Sequence, residues 1–251
     1  VSKILEAKQI YKEFGQENKV TVLKGIDMEV EQGEYVVIMG QSGSGKSTLL
    51  YNISGMDKMT SGKVIFDGED ISALDDEKMS QLRLRKMGFI FQHSYLLKNM
   101  SLKDNIMLPA MKAKKCNKGE IREKVDTLMK DLHIDEVADH EINQVSGGQM
   151  QRTAIGRALI NEPKILYGDE PTGALNASTT KEVMDILNSI NQKGMTIVLV
   201  THDAKVAARA DRIIYLQDGE IVSSQHLGKY RKEEEKNRED MTSAWLQKLG
   251  F

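Results

Sequence analysis

The nine residues GQSGSGKST at positions 40–48 restrict this chain more than any other stretch. They carry the spacing GxxxxGK[ST] and follow the apolar, β-rich run YVVIM at 35–39. The following STLLYNI, from Ser47, reads as a helix start. A loop of this kind has to leave a buried strand and open a helix, so it already implies an α/β fold. Gly40, Gly43 and Gly45 let the backbone turn until successive N–H groups face one anion. Ser42, Ser44 and Thr48 complete the polar lining, and the helix N-terminus adds its partial positive charge. In such a loop Lys46 contacts the β- and γ-phosphates of a nucleoside triphosphate, and the Ser47 hydroxyl is a ligand for Mg²⁺.

Composition narrows the setting. With 251 residues, 40% hydrophobic and 29% charged, the chain suits one large α/β domain or two closely joined subdomains. A net charge of −2 argues against bulk attraction to nucleic acid. No apolar run approaches the length of a membrane span, so a membrane role is expected through a partner. The opening VSKI has no signal-peptide layout, and the single cysteine, Cys116, leaves no disulfide framework. Both point to a cytosolic setting.

Residues 1 to about 33 read as strands, with alternation at Ile26, Met28 and Val30. A strand at 64–66 ends in the hairpin dipeptide Asp67-Gly68, and a polar helix over 76–86 precedes a strand at 88–91. From about His93 to Ile160 the pattern turns helical. Ile121, Val125, Leu128, Met129 and Leu132 form one apolar stripe, read as core. Strands are then expected at 164–168, 196–200 and 212–216, with a helix over 179–191. That order implies right-handed crossovers and a mostly parallel sheet. The tail from Lys229 to Asp240 alternates five basic and five acidic residues, a solvated helix. Met241, Trp245, Leu246 and Leu249 then share helical spacing, either folded back on the domain or forming a docking surface.

Four further motifs follow the phosphate loop in order: Gln92, VSGGQMQR from Val145, the strand-like ILYGDE ending at Glu170, and His202. Together they resemble the nucleotide-binding subunit of ABC transporters, over about residues 4–222. FQHSYLL, with Asn105, Leu108 and Pro109, resembles the branch of macrolide exporters, lipoprotein-releasing ATPases, antimicrobial-peptide resistance transporters and a cell-division ATPase. The resemblance implies a P-loop ABC-type ATPase core with an antiparallel β-subdomain and an inserted helical subdomain. The corresponding boundaries are 1–225 for the ATPase domain, about 93–160 for the helical insert, and 226–251 for a charged, then amphipathic, C-terminal helix.

Asp169 ends an apolar strand, where its carboxylate can reach Mg²⁺. Glu170, next to it, is placed to polarise the attacking water as general base. The other roles rest on the resemblance. It implies that Gln92 senses the γ-phosphate or Mg²⁺ and links it to the helical insert, and that His202 bonds the γ-phosphate and orients Glu170 and water. Ser146, Gly147, Gly148 and Gln149, at a helix start with free N–H groups, would meet the γ-phosphate held by a second copy. The implied assembly is a homodimer that sandwiches two ATP–Mg²⁺, without nucleic acid, on the cytoplasmic face of a membrane and driving an integral permease. Phe14 matches the aromatic that stacks on adenine, with Tyr11 as its rival.

Three departures from the family pattern stand out: Val145 for the usual leucine, Tyr167-Gly168 in the strand before Asp169, and Asn176 for the usual aspartate. Export or extraction of a peptide, lipid, lipoprotein or drug is the expected work, with antimicrobial resistance favoured. ATP-driven control of a signalling or cell-wall complex is the alternative. A soluble DNA-repair or translation ATPase would bring tandem cores, long coiled coils or cysteine clusters, and the sequence has none of these.

Overall fold

The computed structural model describes residues 2–251; Val1, where the expected domain begins, lies outside the described residues. The strands are β1 (Lys3–Phe14), β2 (Val20–Glu31), β3 (Tyr35–Met39), β4 (Ser61–Phe66), β5 (Glu69–Asp70), β6 (Met87–Phe91), β7 (Ile165–Asp169), β8 (Thr196–Val200), β9 (Arg212–Gln217) and β10 (Glu220–His226). The α-helices are α1 (Lys46–Ile53), α2 (Asp76–Lys86), α3 (Leu102–Ala113), α4 (Lys118–Asp131), α5 (Gly147–Leu159), α6 (Ala177–Gln192), α7 (Ala204–Ala207) and α8 (Glu235–Lys248). The chain divides into two compact units, one formed by residues up to Met79 with Ile190–Phe251, the other by Ser80–Ser189.

The first unit carries an antiparallel sheet in the order β2-β1-β4-β5. Its inward face follows the alternation in the sequence: Ile26, Met28 and Val30 are all buried. Asp67 and Gly68 both have positive φ, 53° and 78°, and close the β4–β5 hairpin with Phe66 opposite Glu69. That is the turn the Asp-Gly dipeptide favours. The same unit holds strands in the order β10-β9-β3-β8, where β3 runs parallel to both β8 and β9. Every residue of β3 and β8 is buried, which explains their unbroken apolar sequence.

The tail departs from expectation. Instead of a solvated helix up to Asp240, Arg238 is 3% exposed and aligns with Thr242 and Leu246 on the buried face of α8. Its guanidinium donates to the carbonyls of Ala208, Leu227, Gly228 and Ala210. Arg209 pairs with Glu235 at 2.6 Å, while Trp245 and Phe251 both meet the Tyr215 ring edge-on. The amphipathic segment is therefore folded back, and its buried stripe is centred on Arg238, Thr242 and Leu246; Met241 is exposed.

In the second unit β6 and β7 run parallel, and α3, α4 and α5 follow one another between Leu102 and Leu159. Asn117 and Glu120 form a reciprocal capping box that starts α4. Ile121, Val125, Met129 and Leu132 are buried along one stripe, with Leu128 at its margin. A Cβ on Gly156 would stand 2.9 Å from the Ile106 side chain, so glycine lets α5 approach α3 closely. Helix does not begin at His93, because residues 93–101 form an irregular segment. Buried Asn105 holds it by accepting from Leu97 N and donating to the carbonyls of Leu97 and Ser101. Among the described residues no helix is long and apolar enough to cross a membrane.

Candidate functional site

In the first unit, the phosphate loop leaves the end of β3 and enters α1. Gly43 and Gly45 have φ of 80° and 100°, in the left-handed region where glycine is nearly free of steric cost. A side chain on Gly40 would collide with the Leu216 carbonyl and would stand 2.6 Å from Ser44 Oγ. At Gly43 a Cβ meets nothing within 4 Å, so that side of the loop is open. Lys46 curls over the loop, its ammonium donating to the carbonyls of Gly40 and Gln41 at 2.9 and 2.8 Å. Ser42 is exposed and Ser44 buried; Ser47 and Thr48 are half-buried in the first turn of α1.

The support beneath this loop was not anticipated from sequence. Gly219, at the tip of the β9–β10 hairpin, donates its N–H to Ser44 O at 3.2 Å and accepts from Lys24 N at 2.9 Å. Asp218 and Gly219 have φ of 49° and 82°, repeating the Asp-Gly turn of residues 67–68. That dipeptide was the available signal. From the other end of the unit, Gln41 of the loop donates to Gly250 O, so the chain's last turn also reaches the phosphate loop.

His202 stands just beyond β8. Because Ile38 pairs with Val200 in parallel register, His202 and the phosphate loop emerge from the same C-terminal edge of the sheet. Open α/β sheets bind ligands at that edge. Thr201 Oγ1 accepts from Asp203 N, and Asp203 Oδ1 accepts from Lys205 N, so the backbone on both sides of the exposed His202 is fixed. Of the two candidate aromatics, Phe14 ends β1 and is 45% exposed, with Lys12 Nζ 4.7 Å from its ring centre. Tyr11 instead covers Gly25, where a Cβ would lie 2.7 Å from the tyrosine hydroxyl.

The second unit brings together Gln92, Asp169 and Glu170. Phe91 pairs with Asp169, so the next residues, Gln92 and Glu170, leave adjacent strands side by side. Glu170 has φ 49°, a left-handed conformation that a non-glycine residue holds only under constraint. Its carbonyl accepts from Gly173 N at 3.0 Å, closing a tight turn. Gln92 lies over that turn: a Cβ on Gly173 would be 3.1 Å from Gln92 Nε2.

Ser146 caps α5. Its Oγ accepts from Gln149 N at 3.2 Å, and Gln149 Oε1 accepts from Ser146 N at 2.8 Å. The two polar side chains of the signature are thus turned in on their own backbone. Ser146 and Gly147 are exposed, and what they offer outward is the positive end of a helix. Gly148 is buried where a Cβ would meet Thr179 Cγ2 at 2.5 Å. Sequence reasoning missed buried Gln151 and half-buried Arg157, residues of α5 that bond backbone around Gln92 and Glu170. Asn176 accepts from Thr179 N at 2.9 Å, and so caps α6 as an aspartate would.

Comparison with known proteins places this architecture. The family model described as ABC transporter matches residues 23–173. The bacitracin export ATP-binding protein BceA of Halalkalibacterium halodurans is 42% identical over 227 residues, covering 90% of this chain and 89% of that protein. The macrolide export ATP-binding/permease protein MacB of Aggregatibacter actinomycetemcomitans is 44% identical over 221 residues, covering 88% of this chain but 34% of that protein. The chain thus spans about a third of the length of the macrolide exporters it matches. Among solved structures, the dimeric post-hydrolysis state of the ATP-binding cassette MJ0796, bound to ADP and Pi, aligns with a TM-score of 0.83 at 38% identity. That alignment covers 90% of this chain and all of the other. With its phosphate loop, strand-end carboxylates and signature helix in a P-loop core, this chain is an ATP-binding cassette of the ABC transporter family.

Proposed function

We propose that this chain hydrolyses ATP as a homodimer enclosing two ATP–Mg²⁺ and drives a membrane permease from the cytoplasmic face, in export of an antimicrobial peptide or a related amphiphile. The observation that carries the reading is the exposed start of α5. Ser146 and Gln149 are engaged with each other's backbone, so the turn offers free backbone N–H groups and a helix dipole, an anion site awaiting a phosphate from elsewhere. A second copy is the source proposed, and the dimeric cassette with ADP and Pi supports it. Export is supported by the roles of the bacitracin and macrolide export relatives.

The residues present suit ATP. Lys46 and the loop N–H groups would hold the β- and γ-phosphates, and the exposed Phe14 ring would stack on adenine, since Tyr11 is engaged at Gly25. Hard oxygen donors from Ser47, Asp169 and Gln92 suit Mg²⁺, which would neutralise phosphate charge. Among the described residues no cluster of three or more His, Cys, Asp or Glu could hold a metal ion. Glu170 takes the proton of the attacking water, and His202 steadies the γ-phosphate.

Glu170→Gln should leave ATP binding intact, reduce hydrolysis by 10²-fold or more, and accumulate an ATP-bound dimer on a sizing column. Wild-type turnover in that variant would sink the assignment of Glu170. Ser146→Arg should bind ATP yet stay monomeric; ATP-dependent dimers of it would contradict the cross-subunit role. Affinity purification from gently solubilised native membranes should bring down a permease, and recovery without any membrane protein would refute the transport reading.

A further inference from the structure

The Gln151 side chain is 2% exposed and lies on the second turn of α5. Its amide nitrogen donates to two carbonyls, Phe91 O at 2.9 Å and Pro171 O at 2.6 Å. Both N–H donors of the amide are therefore engaged, one on each of two adjacent strand ends. Phe91 immediately precedes Gln92, and Pro171 immediately follows Glu170. The turn after Glu170 is thus pinned twice: its first carbonyl by Gly173 N, its second by Gln151. Glu170 keeps its left-handed backbone inside that clamp. The same helix begins at Ser146, five positions earlier, so one rigid element joins the signature turn to the loop that aims the carboxylate.

We propose that Gln151 is the positioning residue of the hydrolytic step: through Pro171 it fixes the direction of the Glu170 carboxylate, and through Phe91 it keeps Gln92 beside it. This rests on the reading of Glu170 as general base. Gln151 itself touches neither nucleotide nor water. A helix carrying a phosphate-sensing N-terminus and this clamp would transmit closure of the signature turn to the base, because a hydrogen-bonded amide tolerates little displacement. Arg157 strengthens the same arrangement by donating to Ser94 O and Tyr95 O at 2.6 and 2.7 Å, holding the chain just beyond Gln92. It makes no such bond to the turn after Glu170, and so the two residues are separable.

The test uses the full chain with ATP and Mg²⁺. Gln151→Asn withdraws the amide by one methylene and keeps its polarity; Gln151→Met keeps the length and removes both donors. Thermal melts and a fluorescent ATP analogue establish folding and affinity for each, and the Asn variant serves if the Met variant does not fold. The expected result is a kcat lowered about 10- to 100-fold with KM for ATP changed less than about 3-fold, because a misaimed base affects the transition state and not nucleotide binding. A merely structural amide would lower stability without that split. In the Glu170→Gln background, Gln151→Asn should slow single-turnover hydrolysis no further, since the group it positions is gone. A further tenfold loss there, or wild-type kcat in both folded Gln151 variants, would overturn the inference while leaving Glu170 as the base. Wild-type turnover of Glu170→Gln alone would instead remove the base assignment and this inference with it.

Discussion

Arg238 offers the sharpest test of how the C-terminal helix is held. A solvated arginine on a charged helix can be replaced at a cost within about 0.5 kcal/mol. Here the guanidinium bonds Ala208 O at 2.8 Å and Leu227 O at 3.0 Å, and also reaches Ala210 O and Gly228 O. Net values of about 1.5–3 kcal/mol per charge-assisted bond would give the three shortest about 5–9 kcal/mol together. Desolvation of the cation by burial, which lowers the proton affinity of the guanidinium, offsets part of that sum. Arg238→Met retains the packed stem, leaves those carbonyls without their donor, and should cost about 3–4 kcal/mol.

The remaining anchors of α8 are of similar size. Burial of Leu246 contributes about 1.5–3 kcal/mol, and each aromatic edge on Tyr215 about 0.5–1.5 kcal/mol. Without Arg238, α8 should therefore leave before the rest of its unit unfolds. Trp245, the single tryptophan of the chain, sits on that helix and reports its release directly. In a urea titration the Trp245 fluorescence midpoint should fall by about 1 M or more and separate from the circular-dichroism transition of the whole chain. Coincident transitions at the wild-type midpoint would refute the claim that the guanidinium clamps the tail.

Tyr167 has a buried hydroxyl without a hydrogen-bond partner, so Tyr167→Phe should be neutral or stabilising by up to about 1 kcal/mol in a thermal melt. Burial pushes that hydroxyl's ionisation above its ordinary value. The neutral phenol's contribution is therefore fully present below pH about 10 and lost as pH rises beyond it, and the Phe variant should show a shallower alkaline decline. Asn176→Ala should cost about 1 kcal/mol by removing the cap of α6, whereas Asn176→Asp should keep the cap and add a few tenths through the helix dipole, as urea midpoints would show. Gly148→Ala should destabilise by about 1–3 kcal/mol because the new methyl meets Thr179 Cγ2 at 2.5 Å; Thr179→Ser, which removes that methyl, should restore most of the loss.

The elements that announced themselves in the sequence are those whose cause is local. β8 occupies residues 196–200 as expected, since a strand buried on both faces has to be apolar throughout. α2 covers 76–86 with acidic residues in its first turn and basic ones in its last, a pattern the helix dipole rewards. The β9–β10 turn was equally legible in Asp218-Gly219, but its importance lies in bonding Ser44 and Lys24, partners about 175 and 195 positions away in the chain. The start of the helical region was misplaced because 93–101 owes its shape to Asn105 and Arg157, whose bonds to Leu97, Ser94 and Tyr95 depend on a fold already formed.

The same distinction separates the chemical groups from what aims them. Lys46, Ser146, Asp169 and Glu170 stand in motifs because their spacing along the chain is itself the requirement. Gln151, Arg157 and Arg238 satisfy backbone carbonyls at strand ends and loops, and an acceptor carbonyl is present at every position, so no spacing betrays them. Hydropathy misreads them as well: in sequence a glutamine or arginine looks solvated, while in the fold Gln151 and Arg238 are buried and Arg157 half-buried, each a multidentate donor. These donors have a common consequence. A loop held by its carbonyls keeps its backbone shape while its own side chains change, so Gln92 and Glu170 can be replaced without moving the turn that presents them. Replacing the donor instead leaves both side chains intact and misaims them. A cassette of this construction should therefore lose turnover by two separable routes, and variants at Gln151 belong to the second.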